Sequence, residues 1–125
     1  MSWEIARRFR FEAAHLLPHA PEGHKCRRLH GHSFEVELRV VGQLAEPEGW
    51  VCDFAELAEA WAPLQEQLDH RYLNEVEGLE NPTSEHLAAW IWERVVPRFP
   101  GLHAVIVAET CTTQCVFFGP YLPEE

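Results

Sequence analysis

Three histidines and one cysteine near the start of the chain have the types and spacing needed to hold a metal ion. His15 ends an alternating stretch, and Cys26, His30 and His32 belong to the run Cys-Arg-Arg-Leu-His-Gly-His. Two histidines two positions apart leave the same face of a β-strand. If His15 ends a neighbouring strand with the same facing, the two strands deliver three imidazoles to one point.

Three imidazoles favour a catalytic zinc site over a structural one. A catalytic zinc keeps a fourth position open beside three protein ligands, whereas a structural zinc usually has four protein ligands. Gly31 removes side-chain bulk between His30 and His32, where a ligand must approach closely. The chain has 8 histidines, and a lone histidine is more often an ordinary core or surface residue. The prediction therefore depends on the three spacings together with Cys26.

The charge distribution argues against nucleic acid and towards a small anionic ligand. The chain has a formal net charge of −10, whereas a nucleic-acid-binding protein usually has an excess of basic residues on its binding surface. Six of the ten basic side chains nevertheless lie within residues 1–34, around the histidines, where they can hold a polyphosphate. They are Arg7, Arg8, Arg10, Lys25, Arg27 and Arg28. For the first three, a solvated strand edge is an equally good interpretation.

The size and cysteine content indicate one cytoplasmic domain. A chain of 125 residues, 46% hydrophobic, fits a single core, and no apolar run approaches a membrane span or signal peptide. Its four cysteines suit neither a disulfide framework nor paired zinc ligands. Cys111 and Cys115 are expected to be core or hairpin residues, with a second metal site as the alternative. Cys26 differs, because cationic neighbours favour a reactive thiolate.

Hydrophobic periodicity predicts an α+β domain. Strands are expected over 3–15, 32–42, 103–110 and 115–121. One helix begins with a capping box at Asp53 and Glu56, and a second begins near 81–85 with its proline in the first turn. The order ββααββ gives a four-stranded antiparallel sheet with two helices on one face. Its outer strands are open edges that pairing with other subunits would protect.

Five motifs occur along the chain in an order that resembles the 6-pyruvoyltetrahydropterin synthase superfamily. The short spacer between the cysteine and the first histidine of His-Gly-His is similar to that of the bacterial branch, the 6-carboxytetrahydropterin synthases of the queuosine pathway. The resemblance covers nearly all of residues 1–125, as a single domain. The motifs are Phe11–His15, Cys26–His32, Leu68-Asp69-His70, Asn81–Glu85 and Val107–Thr110.

The resemblance implies a fold, an assembly and a metal. The fold is the T-fold (tunnelling fold), in which subunits join edge to edge, commonly as trimers stacked into a homohexamer with active sites between subunits. His15, His30 and His32 would bind Zn²⁺, with the open position available to oxygen atoms of the substrate side chain.

The resemblance also implies roles for the remaining motif residues. Cys26 matches the family's catalytic proton acceptor, and Asp69 with His70 matches a second proton-transfer pair. Their direct contact requires irregular backbone after Leu68, because adjacent helical residues do not face one another. Without the resemblance, an Asp-His pair at a helix end is more often structural.

Glu109 shares the facing of an otherwise apolar strand, where a carboxylate needs a partner. A pterin supplies two parallel donors for it, and the family also counts this glutamate in its proton relay. Thr83, Ser84 and Glu85 match a motif near the pterin. Capping and first-turn dipole stabilisation are alternative roles that these three can fill at the same time.

The implied reaction converts 7,8-dihydroneopterin triphosphate to 6-carboxy-5,6,7,8-tetrahydropterin, with release of triphosphate and acetaldehyde, and the implied class is a zinc-dependent carbon–carbon lyase. One alternative is a 6-pyruvoyltetrahydropterin synthase, which eliminates triphosphate only. The other is a non-catalytic module that binds zinc or pterin, which would need neither the thiol nor the Asp-His pair.

Overall fold

A computed structural model describes residues 2–121 as one sheet covered by two helices. The strands are β1 (Trp3–His15), β2 (His30–Gly42), β3 (Arg71–Tyr72), β4 (Leu102–Thr110) and β5 (Thr113–Phe117). The helices are α1 (Phe54–Leu68) and α2 (Ser84–Val95). Two single-turn 3₁₀ helices cover Lys25–Arg27 and Leu73–Glu75.

The sheet has five strands in the order β3-β1-β2-β4-β5, so the prediction of four antiparallel strands is wrong in this respect. The long strands are antiparallel as predicted, but β3 runs parallel to β1, opposite Ala13 and Ala14. A strand of two residues leaves no alternation in the sequence. Its position depends on a long-range bond instead, since the His70 N–H donates to Glu12 O at 2.6 Å.

Three predicted boundaries also need correction. Strand β2 begins at His30, two residues earlier than expected, because His30 pairs with His15. Strand β5 covers Thr113–Phe117 rather than 115–121, since the hairpin turn is short. Pro82 precedes the N-cap Thr83 of α2 and lies outside its first turn.

Both helices pack on the same face of the sheet, as predicted. The hydrophobic stripes of both helices are buried in one cluster with the inward-facing strand residues. In β2 these are Phe34, Val36, Leu38 and Val40; in α1 they are Leu57, Trp61, Leu64 and Leu68; in α2 they are Leu87, Trp90, Ile91 and Val95. None of the described helices is long and apolar enough to cross a membrane.

The capping box predicted for α1 fixes where that helix begins. The Asp53 carboxylate accepts from the Ala55 N–H at 2.9 Å, and the Glu56 carboxylate accepts from the Asp53 N–H at 3.3 Å. These bonds satisfy donors that a helix start otherwise leaves without partners. The helix ends at Leu68 with Asp69 in an extended C-cap, which returns the chain to the edge of β1.

The opposite face of the sheet carries charge. Glu37 is buried there between two arginines, with Arg8 Nε at 2.8 Å and Arg39 Nε at 2.6 Å from its carboxylate oxygens. Burial raises the pKa of Glu37, but the hydrogen bonds from Arg8 and Arg39 outweigh it, so its pKa is below the ordinary glutamate value.

Candidate metal centre and active site

The ends of β1 and β2 bring three histidines together. In the antiparallel register His15 pairs with His30 and Ala13 pairs with His32, so the three imidazoles leave one face at neighbouring positions. Their ring centroids lie 4.5 to 5.2 Å apart. One nitrogen of each ring lies within 4.8 Å of the others. This is the geometry that the sequence spacing predicted.

Backbone carbonyls orient two of the three rings. Nδ1 of His15 lies 2.9 Å from Pro82 O, and Nδ1 of His30 lies 2.7 Å from Arg28 O. A carbonyl oxygen accepts, so each Nδ1 carries the hydrogen and each Nε2 keeps a free lone pair. Histidine ligands of metals are held in their tautomer by such bonds.

The buried nitrogens of this cluster fit a metal ion. Among the residues that the structure describes, the buried side-chain polar atoms without a hydrogen-bond partner are Nε2 of His15 and Nε2 of His32. A buried polar atom without a partner costs free energy unless something binds it. Burial lowers the pKa of both His15 and His32, which favours the neutral form that binds metal. The donor set of three imidazole nitrogens suits zinc.

Cys26 lies in the loop between β1 and β2, within the first 3₁₀ helix, and is partly exposed. Two hydrogen bonds hold the backbone of Cys26 in place. Leu17 N–H donates to Cys26 O at 2.7 Å, and Cys26 N–H donates to Nδ1 of the His24 side chain at 3.0 Å. The first of these bonds joins the thiol loop to the chain two residues after His15. Cys26 therefore lies, partly exposed, on a segment that the Leu17 bond anchors close to His15.

Asp69 and His70 meet directly at the end of α1. Oδ2 of Asp69 lies 2.9 Å from Nδ1 of His70. The contact uses irregular backbone, as the sequence required, because His70 has a φ of 57°. The other oxygen of Asp69, Oδ1, accepts from the Glu12 N–H at 2.9 Å. That bond is the main cause of the lowered pKa of Asp69, and the hydrogen bond with His70 lowers it further.

Glu109 is held between α2 and the histidines. Ser84 Oγ donates to its Oε1 at 2.8 Å, and its Oε2 lies 3.8 Å from Nε2 of His32. Thr83 is the N-cap of α2 and accepts from the His86 N–H at 3.1 Å, while Glu85 occupies the first turn. The capping roles considered for Thr83 and Glu85 are thus filled, and Ser84 has a separate contact with the carboxylate.

The predicted residues line two different clefts of the single chain. A cleft of about 670 Å³ is lined by His32, His70 and Arg71, among others. Another, of about 380 Å³, is lined by Glu109, Arg10 and Cys111. His32 therefore shares the first cleft with His70, while Glu109 lines the second cleft and approaches Nε2 of His32 at 3.8 Å.

Sequence reasoning missed the groups that orient this site. The carbonyl oxygens of Pro82 and Arg28 leave no signal in residue type, because every residue has a carbonyl. The amide of Asn74 holds both backbone groups of Leu16, at 3.0 and 2.9 Å. Asn74 stands between Leu73 and Glu75, four residues after His70, so its residue type gave no distinct signal.

Fold and site together define a small α+β domain with a cluster of three histidines, able to hold a metal ion, at the end of its sheet. Comparison with known families agrees with the resemblance found in the motifs. The sequence model of the 6-pyruvoyl tetrahydropterin synthase family matches residues 4–120. The chain belongs to this family of enzymes, as its motifs predicted.

The chain is also similar to individual members of this family. The chain is 48% identical to the 6-carboxy-5,6,7,8-tetrahydropterin synthase of Synechocystis, over 96% of each chain. It is 38% identical to the dihydroneopterin monophosphate aldolase of Pyrococcus furiosus, over 81% of this chain and 82% of the relative. Among solved structures, the 6-pyruvoyl tetrahydropterin synthase of Caenorhabditis elegans has a TM-score of 0.87 at 24% identity, covering 95% of this chain and 96% of its own. That last likeness shows the T-fold.

Proposed function

We propose that this chain is a zinc-dependent lyase that converts 7,8-dihydroneopterin triphosphate to 6-carboxy-5,6,7,8-tetrahydropterin. Triphosphate and acetaldehyde leave, water is taken up, and the product serves queuosine biosynthesis. The observation that carries the proposal is the convergence of His15, His30 and His32 on one point, with the buried Nε2 atoms of His15 and His32 left without a hydrogen-bond partner. The relative from Synechocystis, which matches over nearly the full length, supports the choice of product.

His15, His30 and His32 would hold the zinc. When bound, zinc supplies Lewis acidity that polarises oxygens of the substrate side chain and acidifies the neighbouring C–H. The protein contributes by fixing the rings before the metal arrives, through the carbonyls of Pro82 and Arg28. A preformed ligand set lowers the cost of ordering the site.

Cys26 is the proposed proton acceptor for the substrate side chain. The loop carrying it also carries Lys25 and Arg27, both exposed. In this role the thiolate removes a carbon-bound proton and the thiol later returns one.

Asp69 and His70 form the second proton-transfer pair. The carboxylate of Asp69 is fixed from β1 by the Glu12 N–H, so it holds the imidazole of His70 in one orientation. A carboxylate in this position also stabilises the imidazolium that forms when His70 accepts a proton. The hydrogen bonds that lower the pKa of Asp69 keep it ionised for this task.

Glu109 is the proposed anchor for the pterin ring and a member of the proton relay. Its carboxylate accepts the ring N–H and the 2-amino group as two parallel hydrogen bonds. Thr83, Ser84 and Glu85 lie beside this point at the start of α2, and Ser84 orients the carboxylate.

We propose a homohexamer of stacked trimers in the cytoplasm, with active sites between subunits. Among the described residues, no strand pairs with β1 from Trp3 to Phe11 on the side away from β2, nor with the outer side of β5. Such edges need a partner or protection. Neighbouring subunits would also bring an Asp69–His70 pair to a Cys26 loop. The four free cysteines suit a reducing compartment.

The test is the product of one turnover. Purified enzyme loaded with zinc is mixed with 7,8-dihydroneopterin triphosphate, and the products are identified by mass spectrometry. Appearance of 6-carboxytetrahydropterin with acetaldehyde supports the proposal, while a stable pyruvoyl product identifies a 6-pyruvoyltetrahydropterin synthase instead. The monophosphate is offered in parallel, and turnover of that compound alone would contradict the proposed substrate. Absence of any reaction favours the non-catalytic binding module.

A further inference from the structure

We infer that Asn74 is a positioning residue. It holds the proposed metal ligand His15 and the Cys26 loop in fixed positions relative to each other. The inference rests on the proposed function, because it assigns Asn74 a role in the same site. Asn74 lies in the second 3₁₀ helix, Leu73–Glu75, and has no proposed contact with zinc or substrate.

The side-chain amide of Asn74 makes a reciprocal pair of bonds with Leu16, and its Nδ2 also lies 3.5 Å from Glu80 O. Leu16 N–H donates to Oδ1 at 3.0 Å, and Nδ2 donates to Leu16 O at 2.9 Å. All of these atoms are in a partly buried environment. An amide that offers one donor and one acceptor reproduces what a neighbouring strand offers to the backbone.

This pair continues the β1–β3 ladder beyond the point where β3 ends. The parallel register pairs Ala13 with Arg71 and Ala14 with Tyr72. Continued by two residues, the same register places Leu16 opposite Asn74. The backbone turns into the 3₁₀ helix after Tyr72, so the side chain of Asn74 supplies the bonds that the strand no longer provides.

The residue that Asn74 holds has two functional neighbours. On one side of Leu16 is His15, whose ring is oriented by Pro82 O. On the other side is Leu17, whose N–H donates to Cys26 O at 2.7 Å. Loss of the Asn74 contact would release the backbone between the metal ligand and the anchor of the thiol loop, so both positions should loosen together.

The chain offers a matched control in Gln65. This side chain is also a partly buried amide that holds β1, since its Nε2 donates to Arg10 O at 3.1 Å, and it accepts from Trp61 Nε1 at 2.7 Å. Its contact lies at Arg10, away from His15. Removing either amide costs folding stability, but only removal of Asn74 should affect the metal site.

The experiment compares Asn74→Ala, Asn74→Asp and Gln65→Ala with the unsubstituted protein. The dissociation constant for zinc is measured by competition with a chelating dye, and the ligand field by the absorption spectrum of the cobalt(II)-loaded protein. Alkylation of Cys26 by iodoacetamide is followed by peptide mass spectrometry, and thermal unfolding of the metal-free proteins is recorded. Groups that orient metal ligands typically contribute tenfold to a hundredfold in metal affinity.

We expect Asn74→Ala to weaken zinc binding at least tenfold, to change the cobalt spectrum and to alter the alkylation rate of Cys26. Gln65→Ala should lower the unfolding temperature and leave those three readouts unchanged. Asn74→Asp keeps the acceptor for Leu16 N–H but places a carboxylate oxygen against Leu16 O, which repels it. This variant should therefore also weaken zinc binding. It provides the test if the alanine variant does not fold.

Zinc affinity within twofold of the unsubstituted protein in a folded Asn74 variant overturns the inference. So does a loss of zinc affinity in Gln65→Ala equal to that in Asn74→Ala, because it would reflect stability alone. Failure of the unsubstituted protein to bind stoichiometric zinc would count against the proposed function instead, so the two failures are distinguishable.

Discussion

Ser84 Oγ donates a hydrogen bond to Oε1 of Glu109 across 2.8 Å. The contact joins the first residue of α2 to the end of β4, and it leaves Oε2 of the carboxylate 3.8 Å from Nε2 of His32. A carboxylate oxygen has two lone pairs, so Oε1 can accept from Ser84 and from a ligand together. The carboxylate is therefore fixed in orientation before a pterin binds.

Glu109→Gln should weaken pterin binding at least tenfold. The substitution keeps the size of the side chain but replaces one carboxylate oxygen by an NH₂ group. That group is a donor, and it would face a donor of the pterin. A hydrogen bond to a charged group contributes roughly 1.5–3 kcal/mol, and about 1.4 kcal/mol corresponds to a factor of ten. Titration of a non-reactive pterin such as sepiapterin or biopterin measures the effect, and zinc content should stay unchanged. Ser84→Ala is the control, with a smaller loss. Equal pterin affinities would leave Glu85 as the next acidic candidate.

Replacement of any one of His15, His30 or His32 by alanine should abolish stoichiometric zinc, because two imidazoles remain. Elemental analysis of the purified variants is the measurement. The controls are the same substitution at His19, His24, His86 and His103. The Nδ1 of His86, for example, is already bonded to Asn81 O at 2.8 Å. Zinc retained by His30→Ala would mean that the ligand set is wrong.

Cys26→Ala should keep zinc and pterin binding and lose nearly all turnover. The thiol is proposed to move a proton and not to hold the metal, and general acid–base catalysis typically contributes 10²- to 10⁴-fold. Single-turnover rates, with zinc content and pterin affinity measured on the same sample, test this. Cys52→Ala, in the connection between β2 and α1, is the matched control and should keep normal turnover. Near-normal activity of Cys26→Ala would revive the binding-module interpretation.

Glu37→Gln should destabilise the fold at neutral pH by about 1 kcal/mol, the size expected when ion-pair partners are largely exposed. The folded-state pKa of Glu37 is lowered by its hydrogen bonds with Arg8 and Arg39, despite burial. Its contribution is therefore fully present above the ordinary glutamate pKa and is lost as the pH falls through the lowered folded-state value. Urea unfolding of both proteins between neutral and acidic pH should show the difference shrinking in that acidic range. Glu35→Gln, at an exposed neighbouring position, should show little difference. A difference for Glu37→Gln that does not change with pH would contradict the ion-pair assignment.

The long elements were predictable because each carries its own periodicity. The alternation from Phe34 to Val40 and the stripe from Leu57 to Leu68 report which side of a strand or helix is buried. The capping box at Asp53 was equally readable, since all of its contacts lie within four residues. Strand β3 was not readable, because two residues have no period and its partner lies far away in the chain.

The residues of the candidate site also fall into a group that could be predicted from the sequence and a group that could not. The histidine cluster, which supplies the proposed metal ligands, could be predicted from spacing, since strand parity fixes the facing of His30 and His32. The groups that hold those ligands could not be predicted, because the contacts of Pro82 O and Asn74 with β1 exist only after the chain has folded. The direct Asp69–His70 contact required a left-handed residue at His70, which the sequence indicated only as a need for irregular backbone.

Three consecutive residues carry three separate tasks at the start of α2. Pro82 orients His15, Thr83 caps the helix, and Ser84 holds Glu109. An insertion or deletion of one residue here would shift all three contacts at once, and no later adjustment within α2 could restore them. Length variation among related chains should therefore be absent from this segment. It should accumulate in the connection between β2 and α1, at positions 43–52, whose backbone hydrogen bonds do not reach these groups.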